Sequence, residues 1–390
     1  MKVLLVGDFQ YGSGMTVYMM NTYRQLSKSG VDVECLSYSG KRDFEKETDA
    51  LGWPMHYVTR VGKNPIKHWI DWACFCKKHR NSYDIIHFNF SSSWNFLPVV
   101  FAHRFTKAKI VLQSHNTDYS KPIKSRALRI ALDMVNGYGR RIFSKISDLK
   151  LGVSTESLSW MFGSDTHALV LKNGIDLSKF SFSEKARLSL RESLKVENST
   201  WLVGMVGVLT ERKNPFFSLK IFEELHTGHP NSHLVIIGSG ELQGQLEQEV
   251  HAKNLESAVS FIKHTNVTNE WYAAFDILLF PSLFEGFGFV PLEAQAAGLQ
   301  VISSDQIPTD VMLTNSIIGL TLSEPEIWIA NVISYLHKLP VERKAISQRN
   351  IKLIDEAGYS IVSSAATLQQ VFKRLLIQQG GRNDAQQEKN

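Results

Sequence analysis

The chain has 390 residues, 43% of them apolar and 21% charged. That is more than one hydrophobic core usually organises, so two domains of roughly 150–200 residues are expected. No stretch approaches the roughly 20 apolar residues of a membrane-spanning helix, and the apolar run in Met1–Gly7 is too short for a signal peptide, so the expectation is a cytoplasmic protein. The net charge of +5 conceals an asymmetry: residues 1–171 hold 23 Lys and Arg against 14 Asp and Glu, whereas residues 172–390 hold 20 against 24.

In chain order, short β-branched runs alternate with longer helical-period segments, the pattern of parallel sheets covered by helices. The first half predicts strands at Lys2–Val6, Val31–Leu36, Asp84–Phe88, Lys109–Gln113, Leu149–Val153 and Ala168–Leu171. Turn chemistry at Asn173-Gly174, within Leu171–Phe180, marks a linker. The pattern then restarts with strands at Trp201–Val208, His233–Ile237, Val259–Phe261, Asp276–Phe280 and Gln300–Ile302. Two doubly wound units, each with a ligand-binding edge at its strand carboxyl ends and facing a central cleft, are the expected architecture. The predicted divisions are residues 1–171, residues 172–359, and a final helix over 360–379 whose stripe of Leu368, Val371, Phe372, Leu375 and Leu376 crosses back onto the first domain. Residues 380–390 read as a polar, disordered tail.

Cys35, Cys74 and Cys76 cannot all pair, and a Cys-x-Cys on a helix sends its side chains to different faces, so idle thiols are expected. Basic residues of the first half concentrate in Arg60–Arg80, interleaved with Trp69, Trp72 and Phe75. They concentrate again in Lys121–Lys150, where Lys124, Arg126, Arg129, Arg140 and Arg141 flank Leu128, Ile130, Leu132 and Val135. This suits an anionic membrane surface or a phosphate, or else a solvated helix face. No helix-turn-helix, zinc or RNA-platform signature accompanies the charge, which argues against nucleic acid.

Four constellations carry chemistry. In Ser282–Gly298, Glu285 and Glu293 bracket Gly286, Phe287, Gly288, Phe289, Val290 and Pro291. Pro291 predicts a helix start there, with Glu285 in a loop and Glu293 in the first turn, so the amides of Gly288 to Val290 make an anion site. By itself Glu293 also suits a simple helix-dipole partner. The pair alone leaves an acid/base pair, a metal site and a binding clamp open.

Gly204–Pro215 runs from a buried strand into a loop with the adjacent cations Arg212 and Lys213, before a helix capped by Asn214 and started by Pro215. Gly12-Ser13-Gly14 makes the first strand-to-helix turn, but Val17 stands where a dinucleotide fingerprint needs its third glycine. His115 follows the strand Lys109–Gln113, and His87 sits comparably after Asp84–Ile86. Each is either a satisfied structural histidine or a group facing a ligand.

Taken together and in order, Glu285–Glu293, Gly207–Asn214, Asn173–Asp176, the Gly12-Ser13-Gly14 turn and His115 resemble the retaining GT-B glycosyltransferases of the glycogen-synthase-like, family-four group, and especially the bacterial exopolysaccharide and capsule enzymes. The resemblance implies that Glu285 contacts donor-sugar hydroxyls and Glu293 the nucleotide ribose. The Gly288–Val290 amides, in the Gly286-Phe287-Gly288 turn, and Lys213 would hold the diphosphate. His115 would lie beside the transferred sugar, and Gly12, Ser13, Gly14 and Asn173 would complete the donor site. The co-substrate is expected to be a UDP-sugar, with no other cofactor. The acceptor is expected to be a saccharide on a polyprenyl diphosphate at the inner membrane face.

One departure stands out: the family's usual Arg is here Val208, so either Arg212 replaces it from four residues on or stabilisation of the leaving group rests on Lys213 and the helix amides. No two aspartates lie two apart, so the Asp-x-Asp pair of metal-dependent sugar transferases is missing and metal independence is expected. A nucleotide-sugar epimerase and a degenerate, partner-binding relative are the alternatives. A hydrolase is disfavoured, since its paired carboxylates must sit about 5–10 Å apart across one bond, whereas the resemblance assigns Glu285 and Glu293 to opposite ends of one nucleotide sugar.

Overall fold

A computed structural model describes residues 1–119, 123, 125–163, 167–338 and 342–387, apart from the side chains of 378–387. The chain divides into two compact units, Met1–Gly174 with Ile361–Asn390, and Ile175–Ser360.

The first unit contains a parallel sheet of β1 (Lys2–Gly7), β2 (Asp32–Ser37), β3 (Met55–Tyr57), β4 (Ile85–Phe90), β5 (Lys109–Ser114), β6 (Leu149–Gly152) and β7 (Leu169–Val170). Its order is β3-β2-β1-β4-β5-β6-β7. The central strands are buried on both faces, as helices on either side of a parallel sheet require. The reversal of strand order falls between β1 and β4, and at such a reversal the loops leaving the carboxyl ends part to make a crevice. Gly12–Gly14 lies on the β1 loop, Asn89 ends β4, and His115 follows β5. In that register Asn89 faces Gln113 and Phe90 faces Ser114.

The second unit repeats the plan with β8 (Trp201–Val206), β9 (Ser232–Ile237), β10 (Val259–Ile262), β11 (Ile277–Phe280), β12 (Gln300–Ser304) and β13 (Ile317–Leu320). The order is β10-β9-β8-β11-β12-β13, and β8 pairs with β11 through Ile277 opposite Val203 and Leu278 opposite Gly204. The loop carrying Arg212 and Lys213 and the loop carrying Glu285 therefore leave neighbouring strands at one edge. The core divides into two layers around this sheet, one including Phe275, Leu278 and Leu292, the other Leu219, Phe222 and Trp328.

The expected strands form, and two edge strands escaped the sequence reading. β3 and β13 are three and four residues long, too short to show an alternating period. The last helix, Ile361–Gln387, belongs to the first unit and packs against the helix Gly14–Lys28. Leu368 and Phe372 are fully buried, and Gln369 Nε2 donates to Ser29 O at 3.2 Å. This helix continues through Gln387, so residues 380–387, read as tail, have helical backbone. No proline interrupts them, and Gly380-Gly381 costs a helix only about 1 kcal/mol per glycine. The remaining tail residues, 388–390, lie outside the described residues. No helix among the described residues is long and apolar enough to cross a membrane. Cys35 and Cys76 are buried, Cys74 is exposed, and all three are free thiols.

Candidate active site

In the second unit β8 ends near Gly207, and the chain makes a short 3-10 turn, Glu211–Lys213. Asn214 follows in the left-handed region, φ 51° and ψ 52°, and the helix Pro215–Gly228 begins. Asn214 occupies the expected cap position but makes no side-chain cap. Asparagine tolerates left-handed backbone better than most residues, and that kink replaces the expected capping bond. The Leu283 N–H donates to Arg212 O at 2.8 Å, which ties this turn to the loop after β11.

Glu285 joins the two loops. Its Oε1 accepts from Lys213 Nζ at 2.5 Å, and its Oε2 accepts from the Arg212 guanidinium at 2.8 Å. The Glu285 side chain is 7% exposed, Lys213 10% and Arg212 33%. Burial pushes the Glu285 carboxyl up, and the charges of Lys213 and Arg212 outweigh it, so the group is held ionised below the usual carboxylate range. Burial in turn pulls the Lys213 ammonium down, against the attraction of Glu285. Lys213 Nζ also stands 4.5 Å from the Phe280 ring centroid.

The helix after Glu285 spans Phe289–Ala296, two residues earlier than Pro291 led one to expect. Gly288 initiates it at φ 107°, a conformation side chains rarely adopt, and this lets Phe289 and Val290 enter the helix ahead of the proline. The N–H groups of Gly288, Phe289 and Val290 carry no acceptor among the described residues, as the first amides of a helix must. Glu293 consequently lies beyond the first turn, which removes its reading as a dipole partner. Its Oε2 accepts from the buried Tyr272 hydroxyl at 2.9 Å, and burial raises its pKa to about 7 although the Tyr272 bond opposes the rise.

In the first unit Ser13 caps the helix Gly14–Lys28, accepting from Thr16 N at 3.3 Å, after Gly12 turns the chain at φ 76°. The turn is organised by Asp8, which accepts from Ser13 Oγ and Thr16 Oγ1, each at 2.7 Å, and from Gln10 Nε2 at 3.1 Å. His115 is 7% exposed and stands 5.0 Å, ring to ring, from Tyr18.

His115 Nε2 lies 2.8 Å from Asn89 Oδ1. Asn89 Nδ2 donates to Val6 O and His87 O, which fixes its oxygen towards the histidine. His115 therefore carries its proton on Nε2 and leaves Nδ1 as an acceptor. Burial, with His87 nearby, lowers its pKa to about 3, so it is neutral at physiological pH. His87 instead lies inside the unit, its Nδ1 2.6 Å from the Tyr23 hydroxyl and its ring against Phe372, a structural position.

The structure thus brings Arg212, Lys213, Glu285, Gly286–Val290 and Glu293 onto one edge of the second unit. Gly12, Ser13, Gly14 and His115 lie on the corresponding edge of the first. Asn173 is buried at the end of the first unit, with its Oδ1 unpartnered among the described residues. Asp8, Tyr18, Asn89 and Tyr272 were not picked out from sequence. Tyr18, Asn89 and Tyr272 act through partners distant in sequence, whereas Asp8 organises its own turn through residues two to eight positions away, and no local motif marks any of them. Of the basic segment, Lys121 and Lys124 lie outside the described residues.

Two parallel-sheet units with their polar residues at the carboxyl edges define the GT-B class. The family described as Glycosyltransferase Family 4 matches residues 12–179, and Glycosyl transferases group 1 matches residues 187–353. The chain belongs to these GT-B glycosyltransferases.

Among curated relatives, EpsF of Bacillus subtilis (strain 168), assigned as a glycosyltransferase, is 27% identical over 85% of this chain and 86% of its own. The UDP-Gal:alpha-D-GlcNAc-diphosphoundecaprenol alpha-1,3-galactosyltransferase of Escherichia coli is 28% identical over 39% of this chain and 40% of its own. Among solved structures, HepE of Anabaena, crystallised with UDP and glucose, superposes with a TM-score of 0.76. It is 16% identical and covers 96% of this chain and 99% of that one, a likeness of fold.

Proposed function

We propose that this glycosyltransferase moves a hexose or N-acetylhexosamine from a UDP-sugar, with retention of configuration, to a growing saccharide carried on a polyprenyl diphosphate, in exopolysaccharide or capsule synthesis. The observation that carries the reading is the ion triad of Glu285, Lys213 and Arg212 beside the open amides of Gly288–Val290. Departure of a nucleoside diphosphate from a sugar builds negative charge on a phosphate oxygen, and fixed cations and amides are what that transition state requires.

In this reading Lys213, Arg212 and the amides hold the diphosphate, Glu285 accepts from sugar hydroxyls and Glu293 from the ribose. His115, neutral and with Nδ1 free, accepts from the transferred sugar. The bond from the anomeric carbon to the diphosphate oxygen breaks, and the acceptor oxygen bonds to that carbon on the same face. The acceptor proton passes to the departing phosphate. Arg212 supplies the second cation that Val208 lacks. Metal independence belongs to the proposal, because the sequence lacks an Asp-x-Asp pair, and undiminished transfer in EDTA is its check.

The surplus of basic residues in the first half supports an anionic membrane surface as partner, and the Escherichia coli galactosyltransferase, named for a diphosphoundecaprenol-linked acceptor, supports the acceptor class. A panel of UDP- and GDP-sugars, read by thermal stabilisation and by labelled-sugar transfer, tests the donor. Undiminished transfer by Glu285→Ala would overturn the site, and an altered sugar without transfer would identify an epimerase.

A further inference from the structure

We infer that Gln295 is a positioning residue for the diphosphate site: its side-chain amide holds Pro291 and Val311 against Gly288 and so aims the amides of Gly288–Val290. This rests on the proposed donor site and adds to it the group that sets the site's geometry.

Ala294–Ala297 is buried throughout, and Gln295 is its one polar side chain. A buried amide is tolerated only when its donors and acceptor find partners, a condition an apolar side chain of the same volume would not impose. Gln295 meets it completely. Its Nε2 donates to Pro291 O at 3.0 Å and to Val311 O at 2.7 Å. Its Oε1 accepts from Leu313 N at 3.2 Å, Thr314 N at 3.1 Å and Thr314 Oγ1 at 3.0 Å. Two carbonyl oxygens on one side and two backbone N–H groups on the other fix which way the amide points.

Four of those five bonds grip the loop that follows β12, at and just beyond its 3-10 turn Thr309–Val311. The fifth reaches Pro291, in the first turn of the helix Phe289–Ala296.

The two carbonyls that Nε2 reaches belong to the two residues that flank Gly288. A Cβ added at Gly288 would stand 3.3 Å from Val311 Cγ2 and 3.3 Å from Pro291 Cγ, so both side chains close on that backbone. Gly288 holds φ 107°, and its conformation decides where the open N–H groups of Gly288, Phe289 and Val290 point. Glycine has no side chain to hold one conformation and visits both signs of φ, so its neighbours must hold it. Val311 and Pro291 are those neighbours, and one side-chain amide ties them together.

The far end of the helix is held independently. From the helix Arg343–Glu356, Ser347 Oγ donates to Ala296 O at 2.7 Å and Asn350 Nδ2 to Gln295 O at 2.8 Å. Loss of the Gln295 amide therefore leaves the helix seated and loosens its amino end, where the phosphates are held.

The test compares wild type with two variants. Gln295→Met keeps the length and removes every bond of the amide, whereas Val311→Ala keeps the amide and removes the contact to Gly288. Binding of UDP and of uridine is followed by NMR titration, with GDP and guanosine in parallel, and donor-sugar hydrolysis gives kcat and KM. Gln295→Met is expected to weaken UDP about tenfold and to lower kcat about ten- to a hundredfold, the scale of misaimed transition-state donors, while uridine affinity stays within about twofold. Val311→Ala is expected to show the same selective loss in smaller measure.

A side chain that only stabilised the fold would change Tm and the active fraction and leave the ratio of UDP to uridine affinity at its wild-type value. That unchanged ratio in Gln295→Met overturns the inference and leaves the donor site standing. If Gln295→Met does not fold, the same ratio in Val311→Ala decides, selective loss supporting the inference and an unchanged ratio overturning it. Wild type that binds nucleoside and nucleoside diphosphate equally overturns the donor reading as well.

Discussion

Replacing Glu285 by Gln should separate stability, nucleotide affinity and transfer. The carboxylate is 7% exposed and accepts from Lys213 at 2.5 Å and Arg212 at 2.8 Å. Gln keeps the volume but removes the charge, leaving the nearly buried Lys213 ammonium beside a second cation. Breaking a buried pair costs about 3–5 kcal/mol. Arg212 is a third exposed and its share is screened, so about 2–3 kcal/mol is the expected loss. For a unit of this size that lowers Tm by roughly 5–10 °C.

A diphosphate meets the opposite situation. Two cations are no longer neutralised by Glu285, so UDP should bind about tenfold tighter, ~1.4 kcal/mol. Transfer should nevertheless fall about a hundredfold or more, because the acceptor of sugar hydroxyls is weakened in the transition state. Thermal unfolding with and without UDP, titration calorimetry and labelled transfer measure all three. A variant with unchanged Tm and unchanged or weaker UDP affinity would refute the reasoning.

Glu293 should make nucleotide binding depend on pH. A ribose hydroxyl donates to its ionised form, so UDP affinity should weaken as pH falls from 8 to 6 through the pKa of about 7, and should be flat in Glu293→Gln. Tyr272→Phe removes the bond that opposes the rise, so the loss should begin at higher pH. The sign for stability is the reverse: this acid has its folded pKa raised, so nucleotide-free protein should lose stability as pH climbs from 5 to 7, read by chemical denaturation. Asn89→Asp places an anion against His115 and should raise its pKa from about 3, so that the pH–rate profile gains an acidic limb absent from wild type. Phe372→Ala empties a fully buried position of the returning helix and should cost about 3–5 kcal/mol in urea unfolding.

Much of the framework was legible in sequence because buried parallel strands are continuous apolar runs, as in Leu4–Val6 or Leu234–Ile237. The edge strands Met55–Tyr57 and Ile317–Leu320 were not, since three or four half-buried residues carry no period. Loop positions of the candidate site could be named from glycine, proline and charge. Their electrostatics could not, because the Glu285 pairing joins residues 72 and 73 apart in sequence and depends on β8 and β11 being neighbours. The start of the Glu285–Glu293 helix moved for a local reason: Gly288 at positive φ does what Pro291 was expected to do. Asn89 and Tyr272 escaped because each acts on a residue 26 or 21 positions away.

The departure at Val208 can be argued further. Position 208 lies in the loop just past β8, whereas the 3-10 turn and the left-handed Asn214 carry Arg212 across to the loop after β11. There the Leu283 N–H and the Phe284 ring, 5.6 Å from the guanidinium, hold it over Glu285. If Arg212 is the replacement cation, Arg212→Ala should slow transfer about ten- to a hundredfold, on the scale of losing one fixed transition-state partner, with little change in Tm because a third of its side chain is already in water. Val208→Arg in that background should recover part of the rate, since it returns a cation to the β8 edge from another backbone position. Full activity of Arg212→Ala would mean instead that Lys213 and the Gly288–Val290 amides stabilise the leaving diphosphate unaided. Loss that Val208→Arg does not touch would assign Arg212 to holding Glu285 in place.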